Sequence, residues 1–226
     1  MNNAKLILLV AGCLLILLLA VFRSFGDLPS SGTVIYEGKT YKTVKIGNQT
    51  WMAENLNYDA VGSICYNNLE SNCARYGRLY NWSTAMNLTS NCNSRYCASQ
   101  IGPKHRGICP EGWHIPSNEE WDQLFRFVYT SSIAGRYLKA KKGWYNCGPS
   151  DSSYLCKDTH NFSALPGGYG YSGGNFGNVD NSGYWWSSNE SFNYSAFFRG
   201  MISNGDGVYW HNNTKSYLFS VRCVQD

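Results

Sequence analysis

Gly170-Tyr171-Ser172-Gly173-Gly174 spells the pattern in which a hydrolase exposes a nucleophilic serine, and the overlapping Gly168 to Gly173 stretch has the spacing of a dinucleotide-binding glycine loop. Both chemistries need a buried strand before the motif and a helix after it. Here the neighbours are Gly, Tyr and Asn, and no apolar helical pattern follows. In a chain with 23 glycines such matches arise by accident. The four histidines, His105, His114, His160 and His211, are not spaced to share a helix face, so a helical zinc site is absent. Asp151, Asp158, Asp180 and Asp206 lie in loop-like segments whose oxygens could hold calcium, but without the ligand alternation of an EF-hand. The residues therefore point away from an enzyme and from a resident cofactor, with calcium the one ion left open.

Aromatic and amide side chains carry the remaining signal. Trp185, Trp186, Phe192, Tyr194, Tyr209, Trp210 and His211 lie close in sequence to Asn189, Asn193, Asn212 and Asn213. Rings that stack and amides that hydrogen-bond suit sugar or protein recognition. The expected ligand-binding set is Trp210, His211, Tyr194, Asn212, Asn193 and Asn189, presented on loops between Gly183 and Ser216. Strand alternation should bury about half of the aromatics in this region.

The chain has nine cysteines, and apart from Cys13 they lie at 65, 73, 92, 97, 109, 147, 156 and 223. An even set in an exported chain reads as disulfides. Loop closure favours the sequence neighbours Cys65 with Cys73, Cys92 with Cys97, and Cys147 with Cys156. That leaves Cys109 with Cys223. Oxidised sulfurs cannot serve zinc, and there is no Cys-x-x-Cys pair.

Export itself is read from Leu6 to Phe22, seventeen residues without a charge, flanked by Lys5 and Arg23. Val10-Ala11-Gly12-Cys13 resembles a lipoprotein cleavage box, but Cys13 sits inside the apolar run. Ser24-Phe25-Gly26 has small residues of the kind a signal peptidase reads, whereas the length of the run favours an uncleaved anchor. The expected organisation is a membrane anchor or signal segment over 1–26, a linker over 27–32, and one folded domain over 33–226. Length alone favours one core over two.

The elements that must position these residues follow from pattern. Thr33 to Trp51 predicts a β meander with turns at Glu37-Gly38 and Gly47-Asn48. Leu79, Trp82 and Met86 recur at helical spacing, which predicts a short helix over 76–86. Ser117 followed by Glu120, with Trp121, Leu124, Phe125 and Val128 behind them, predicts a second helix with a capping box. The run Lys139 to Lys142 reads as a solvated helix end. From Asn161 onward short runs separated by turns predict a small antiparallel sheet with long loops, and Asn204-Gly205-Asp206-Gly207 is a hairpin turn.

Charge and composition exclude some partners. A net charge of +4 with scattered basic residues gives no nucleic-acid footprint. With 15% charged and 15% aromatic residues, the surface should be turn-rich and the core aromatic.

Several strings bear a family resemblance: Gly38 to Gly47, Thr50-Trp51-Met52-Ala53-Glu54-Asn55-Leu56-Asn57-Tyr58, and Tyr76-Gly77-Arg78-Leu79-Tyr80. With them go Gly107 to Pro116, Phe162 to Gly168, Tyr184-Trp185-Trp186-Ser187-Ser188 and Phe219 to Val224. In order, over roughly residues 33 to 226, they resemble the Fibrobacter succinogenes major paralogous domain. The resemblance implies an exported α+β domain related to C-type lectins and formylglycine-generating enzymes, and supplies no catalytic residue to carry over. The Glu-Pro-Asn or Gln-Pro-Asp tripeptide of calcium-dependent lectins is absent, and the paired cysteines leave none to hold copper. The expectation is a bacterial envelope protein, anchored through residues 6–22, with its domain outside the cytoplasm. Its expected role is to bind polysaccharide, or to join an envelope protein complex as a structural subunit.

Overall fold

The structure, a computed structural model, describes residues 30–147 and 155–226. Its first sheet begins with the expected meander: β1 (Ser31–Tyr36), β2 (Lys39–Ile46) and β3 (Gln49–Met52). Glu37 and Gly38 turn with φ of 48° and 72°, and Gly47 with 63°. Val34 pairs with Tyr41, and Val44 with Trp51. The sheet is completed by β4 (Trp113–His114) and β10 (Val224–Gln225), in the order β1-β2-β3-β10-β4. Val224 pairs with both Trp51 and His114, so the last strand is wedged between the meander and the middle of the chain. The Cys109–Cys223 disulfide fastens that junction.

The other three expected disulfides are also present: Cys65–Cys73, Cys92–Cys97 and Cys147–Cys156. These three close the short loops that loop entropy favours, and Cys109–Cys223 is the pair left over.

A second sheet holds β5 (Gly167–Gly170), β6 (Phe176–Val179), β7 (Ser182–Phe192), β8 (Ser195–Ile202) and β9 (Tyr209–Thr214). Its order is β6-β5-β7-β8-β9. All pairings are antiparallel except β5 with β7. Among the described residues two helices of eight or more residues accompany the sheets: α3 (Asn118–Val128) and α4 (Ser131–Leu138), after the shorter α1 (Glu70–Tyr76) and α2 (Trp82–Ala85). The capping box of α3 is formed: Ser117 Oγ accepts from Glu120 N, and Glu120 Oε2 accepts from Ser117 N at 2.8 Å. Such a cap contributes about 1 kcal/mol.

Neighbouring residues on a strand face opposite ways. Trp185 therefore packs into a cluster with Trp51, Trp121 and Phe162, and Trp186 into another with Trp82, Phe198 and Phe219. Both indoles are fully buried. Most of the span from Gly183 to Ser216, expected to present contact loops, is strand, and β7 is covered on both faces.

Two further expectations change. The helix over 76–86 is broken, because α1 ends at Tyr76 and Gly77 follows with φ of 78°. A Cβ at Gly77 would stand 2.7 Å from Leu56 O, so the backbones meet too closely for any side chain. Leu79 and Tyr80 then bridge to Ile64 and Phe219 before α2 begins. The helical spacing was real burial without helical backbone. Helix α4 had no strong apolar periodicity, and its Gly135 sits where a Cβ would touch Gly207 O. Lys139 is wholly buried and not solvated: its Nζ donates to Ile202 O at 3.0 Å and Gly205 O at 2.7 Å. It thereby ties α4 to the expected 204–207 turn.

Segment 217–223 meets the second sheet through isolated bridges such as Ser220 with Trp185, whereas Ala164 bridges to Lys139 at the end of α4. Among the described residues no helix is long and apolar enough to cross a membrane. The apolar run 6–22, Cys13 and Asp151 lie outside the described residues.

Candidate binding site

β9 is the outer strand of its sheet, so one long edge is left without a strand partner. Trp210 stands on it, paired across the ladder with Arg199 of β8 and 64% exposed. Its ring lies 6.0 Å from that of Phe197. On the same side, α3 brings up Asp122, Phe125 and Arg126. Together these enclose an open cleft of about 250 Å³, bounded also by Ser131 and Val208.

The electrostatics of the cleft are set by Arg199, which is almost completely buried. Its Nη1 donates to Asn118 Oδ1 at 2.9 Å, and its Nη2 to Asn118 O and Asp122 Oδ1 at 3.1 and 3.0 Å. Burial lowers the guanidinium pKa and the Asp122 carboxylate opposes that shift. The pairing locks the start of α3 against β8 and so holds one wall of the cleft against Trp210. Arg199 was missed in the sequence, although an arginine inside the apolar run Ala196 to Met201 was a visible signal.

The expected ligand residues are scattered. Trp210 and Asn212 share one face of β9, with Asn212 opposite Phe197; His211 is on the other face, opposite Phe198. His211 Nδ1 lies 2.7 Å from Asn212 O, and its side chain is exposed. Tyr194 and Asn193 occupy the β7–β8 turn and do not line the cleft. Asn193 O accepts from Lys215 Nζ at 2.9 Å. Asn189 Oδ1 accepts from Asn118 N at 2.7 Å and from Ser187 Oγ at 3.2 Å, so this oxygen is taken up at the start of α3.

Metal chemistry finds little footing. Among the described residues, the one group of three clustered metal-ligand types is Cys65, Glu70 and Cys73, and its two sulfurs are bonded to each other. The serine elbow pattern is a hairpin turn: Gly170 ends β5, Gly174 N donates to Tyr171 O, and β6 follows instead of a helix.

The family model for the Fibrobacter succinogenes major domain matches residues 44–225. The chain belongs to this family. No curated protein and no solved structure matches it.

Within the Fibrobacter succinogenes major domain, the strings that carry the resemblance converge on one buried network. Asn55 Oδ1 accepts from Trp185 Nε1 at 2.8 Å and from Arg222 Nη2 at 2.8 Å. Asn55 Nδ2 donates to Tyr76 O and Ser220 Oγ. Arg222 is fully buried, donates also to Phe162 O and Ser163 O, and lies 4.3 Å from the Phe162 ring. Burial lowers its pKa, with Asp158 and Glu54 opposing, and it stays charged at neutral pH. These residues join five chain segments in the interior, which makes them structural. The domain's motif marks its scaffold, while the cleft lies at the edge.

Proposed function

We propose that this protein is an exported, membrane-anchored binding module with a C-type-lectin-like fold, which recognises carbohydrate through the cleft beside Trp210. The observation that carries the reading is an indole left 64% exposed at a polar cleft, in a domain that buries Trp51, Trp82, Trp121, Trp185 and Trp186 completely. An exposed ring of that size costs solvation unless a ligand covers it. A pyranose offers a C–H face to the ring and hydroxyls to Asp122 and Arg126. Export is supported by the apolar run Leu6 to Phe22 and by four disulfides, which persist in oxidising compartments. The lectin-like fold rests on the family resemblance, with small sheets, two main helices and disulfides as its support.

The test is retention of the full-length oxidised chain on insoluble plant polysaccharides, with Trp210→Ala alongside. Retention of the parent that the variant loses supports the proposal. Equal retention of both removes Trp210 from it.

A second reading, a structural subunit of an envelope protein complex, is favoured by one observation. Phe192 and Tyr194 at the β7–β8 tip are 71% and 63% exposed, a pair suited to a protein partner. If no polysaccharide retains the parent, crosslinking in intact cells tests this reading through Phe192→Ser.

A further inference from the structure

A second cleft, of about 370 Å³, lies between the β5–β6 turn and the segment around Asn81. Its volume falls in the range of small-molecule sites, about 300 to 1,000 Å³. Asn81, Asn93, Tyr171, Ser172, Ser216 and Leu218 line it, and none of its lining residues carries a charge. This sets it apart from the cleft beside Trp210, which is lined by Asp122, Arg126 and Arg199.

Its polar groups are held in place from behind. Asn81 Oδ1 accepts from Thr84 N at 2.9 Å, Ser83 Oγ at 3.0 Å and Asn93 Nδ2 at 3.2 Å, which fixes the amide plane. Asn81 Nδ2 and the hydroxyls of Ser172 and Ser216 have no protein partner among the described residues. Tyr171 is 37% exposed; its hydroxyl meets that of Tyr169 at 3.1 Å, and its ring packs edge-on to Tyr217 at 4.8 Å. The turn that carries it is closed by Tyr171 N donating to Asn175 O at 2.8 Å.

We infer that this cleft is a second binding site, independent of Trp210, for a neutral saccharide. A part-exposed phenol ring supplies a stacking face, and a fixed amide with two free hydroxyls supplies hydrogen bonds to sugar hydroxyls. The uncharged lining disfavours ionic ligands, because a carboxylate or phosphate would be desolvated with no cation to pair it. A site of this kind in one chain with the Trp210 cleft would let a single domain hold two points of a polysaccharide.

Calorimetric titration of the full-length oxidised chain with cellohexaose and mannohexaose tests the inference, with hexagalacturonate as the charged probe. At least one neutral hexaose binds the parent. Tyr171→Ala weakens that binding about tenfold or more, the effect of one lost stacking ring. Ser216→Glu, which places a charge in the cleft, weakens it similarly, whereas Tyr171→Phe keeps most of it. The loss caused by Tyr171→Ala persists in a Trp210→Ala background, which separates this site from the proposed function. Absence of neutral-hexaose binding, Tyr171→Ala behaving as the parent, or a Tyr171-dependent preference for hexagalacturonate overturns the inference.

Discussion

Lys215 and Glu190 form an ion pair in which neither side chain reaches solvent. The Lys215 ammonium donates to the Glu190 carboxylate and to Cys92 O, Arg95 O and Asn193 O, and stands 4.8 Å from the Trp82 ring. Glu190 in turn accepts from Cys97 N at 2.8 and 2.9 Å. One pair thus ties the end of β7, the Cys92–Cys97 loop and the chain after β9 together.

Breaking this pair on one side leaves a charge buried without compensation. Lys215→Met should cost about 3 to 5 kcal/mol of unfolding free energy, and the double variant with Glu190→Gln should cost less than either single change. Urea denaturation with the disulfides intact measures this. A cost below about 1 kcal/mol for Lys215→Met would show that the site takes up water.

His114 links stability to pH. The ring is buried, with Nε2 at 2.6 Å from Glu120 Oε1 and Nδ1 at 2.7 Å from Asp226 Oδ1. Burial opposes its charge, but the bonds to Glu120 and Asp226 outweigh burial and raise its pKa above the ordinary 6.5. For Glu120, burial pushes upward and the bonds to His114 and Ser117 outweigh it, so its pKa falls below the ordinary 4.5. The histidine's contribution is complete below about pH 6.5 and is lost as pH rises through its raised value. That of Glu120 is complete above about pH 4.5 and is lost as pH falls through its lowered value. Unfolding free energy should therefore decline from pH 6 to 9 in the parent and be flatter in His114→Gln. Parallel curves for the two proteins would remove His114 from the pH response.

The disulfides should differ in weight. Cys109 and Cys223 are 114 residues apart, and Cys65 and Cys73 only 8. Chain entropy assigns about 5 kcal/mol to the longer closure and about 2.5 to the shorter. Replacing each pair by alanines and comparing thermal midpoints tests the order; the reverse order would mean that native contacts, not loop closure, dominate.

Trp210 and His211 are adjacent on β9 and face opposite sides of the sheet. Polysaccharide retention should therefore fall in Trp210→Ala and persist in His211→Ala. Loss in His211→Ala alone would move the site to the face that carries Phe198.

Much of the scaffold is legible in the sequence itself. The meander over 33–51, the capping box of Ser117 and Glu120, and three of the cysteine pairs rest on local signals: turn residues, strand alternation, a cap and short loop closures; Cys109 with Cys223 follows as the pair left over. The helix expected over 76–86 failed because Gly77 is placed by a contact with Leu56, which no local pattern encodes. Lys139 reads as part of a solvated helix end and nothing local singles out Lys215, yet both ammonium groups donate to backbone carbonyls of distant turns.

By itself the sequence determined the family, the mixed fold with its turns and disulfides, and the supply of aromatic and amide side chains. These depend on residue type and short-range spacing. Only the tertiary structure decided which of those side chains could meet a ligand. Burial of Trp185 and Trp186 depends on sheet faces covered from both sides, and the company of Trp210 depends on a helix some eighty residues earlier that Arg199 pins with Asp122 about 3.0 Å away. Strand alternation says that one neighbour turns inward and the next outward; it is long-range packing that decides whether outward means solvent.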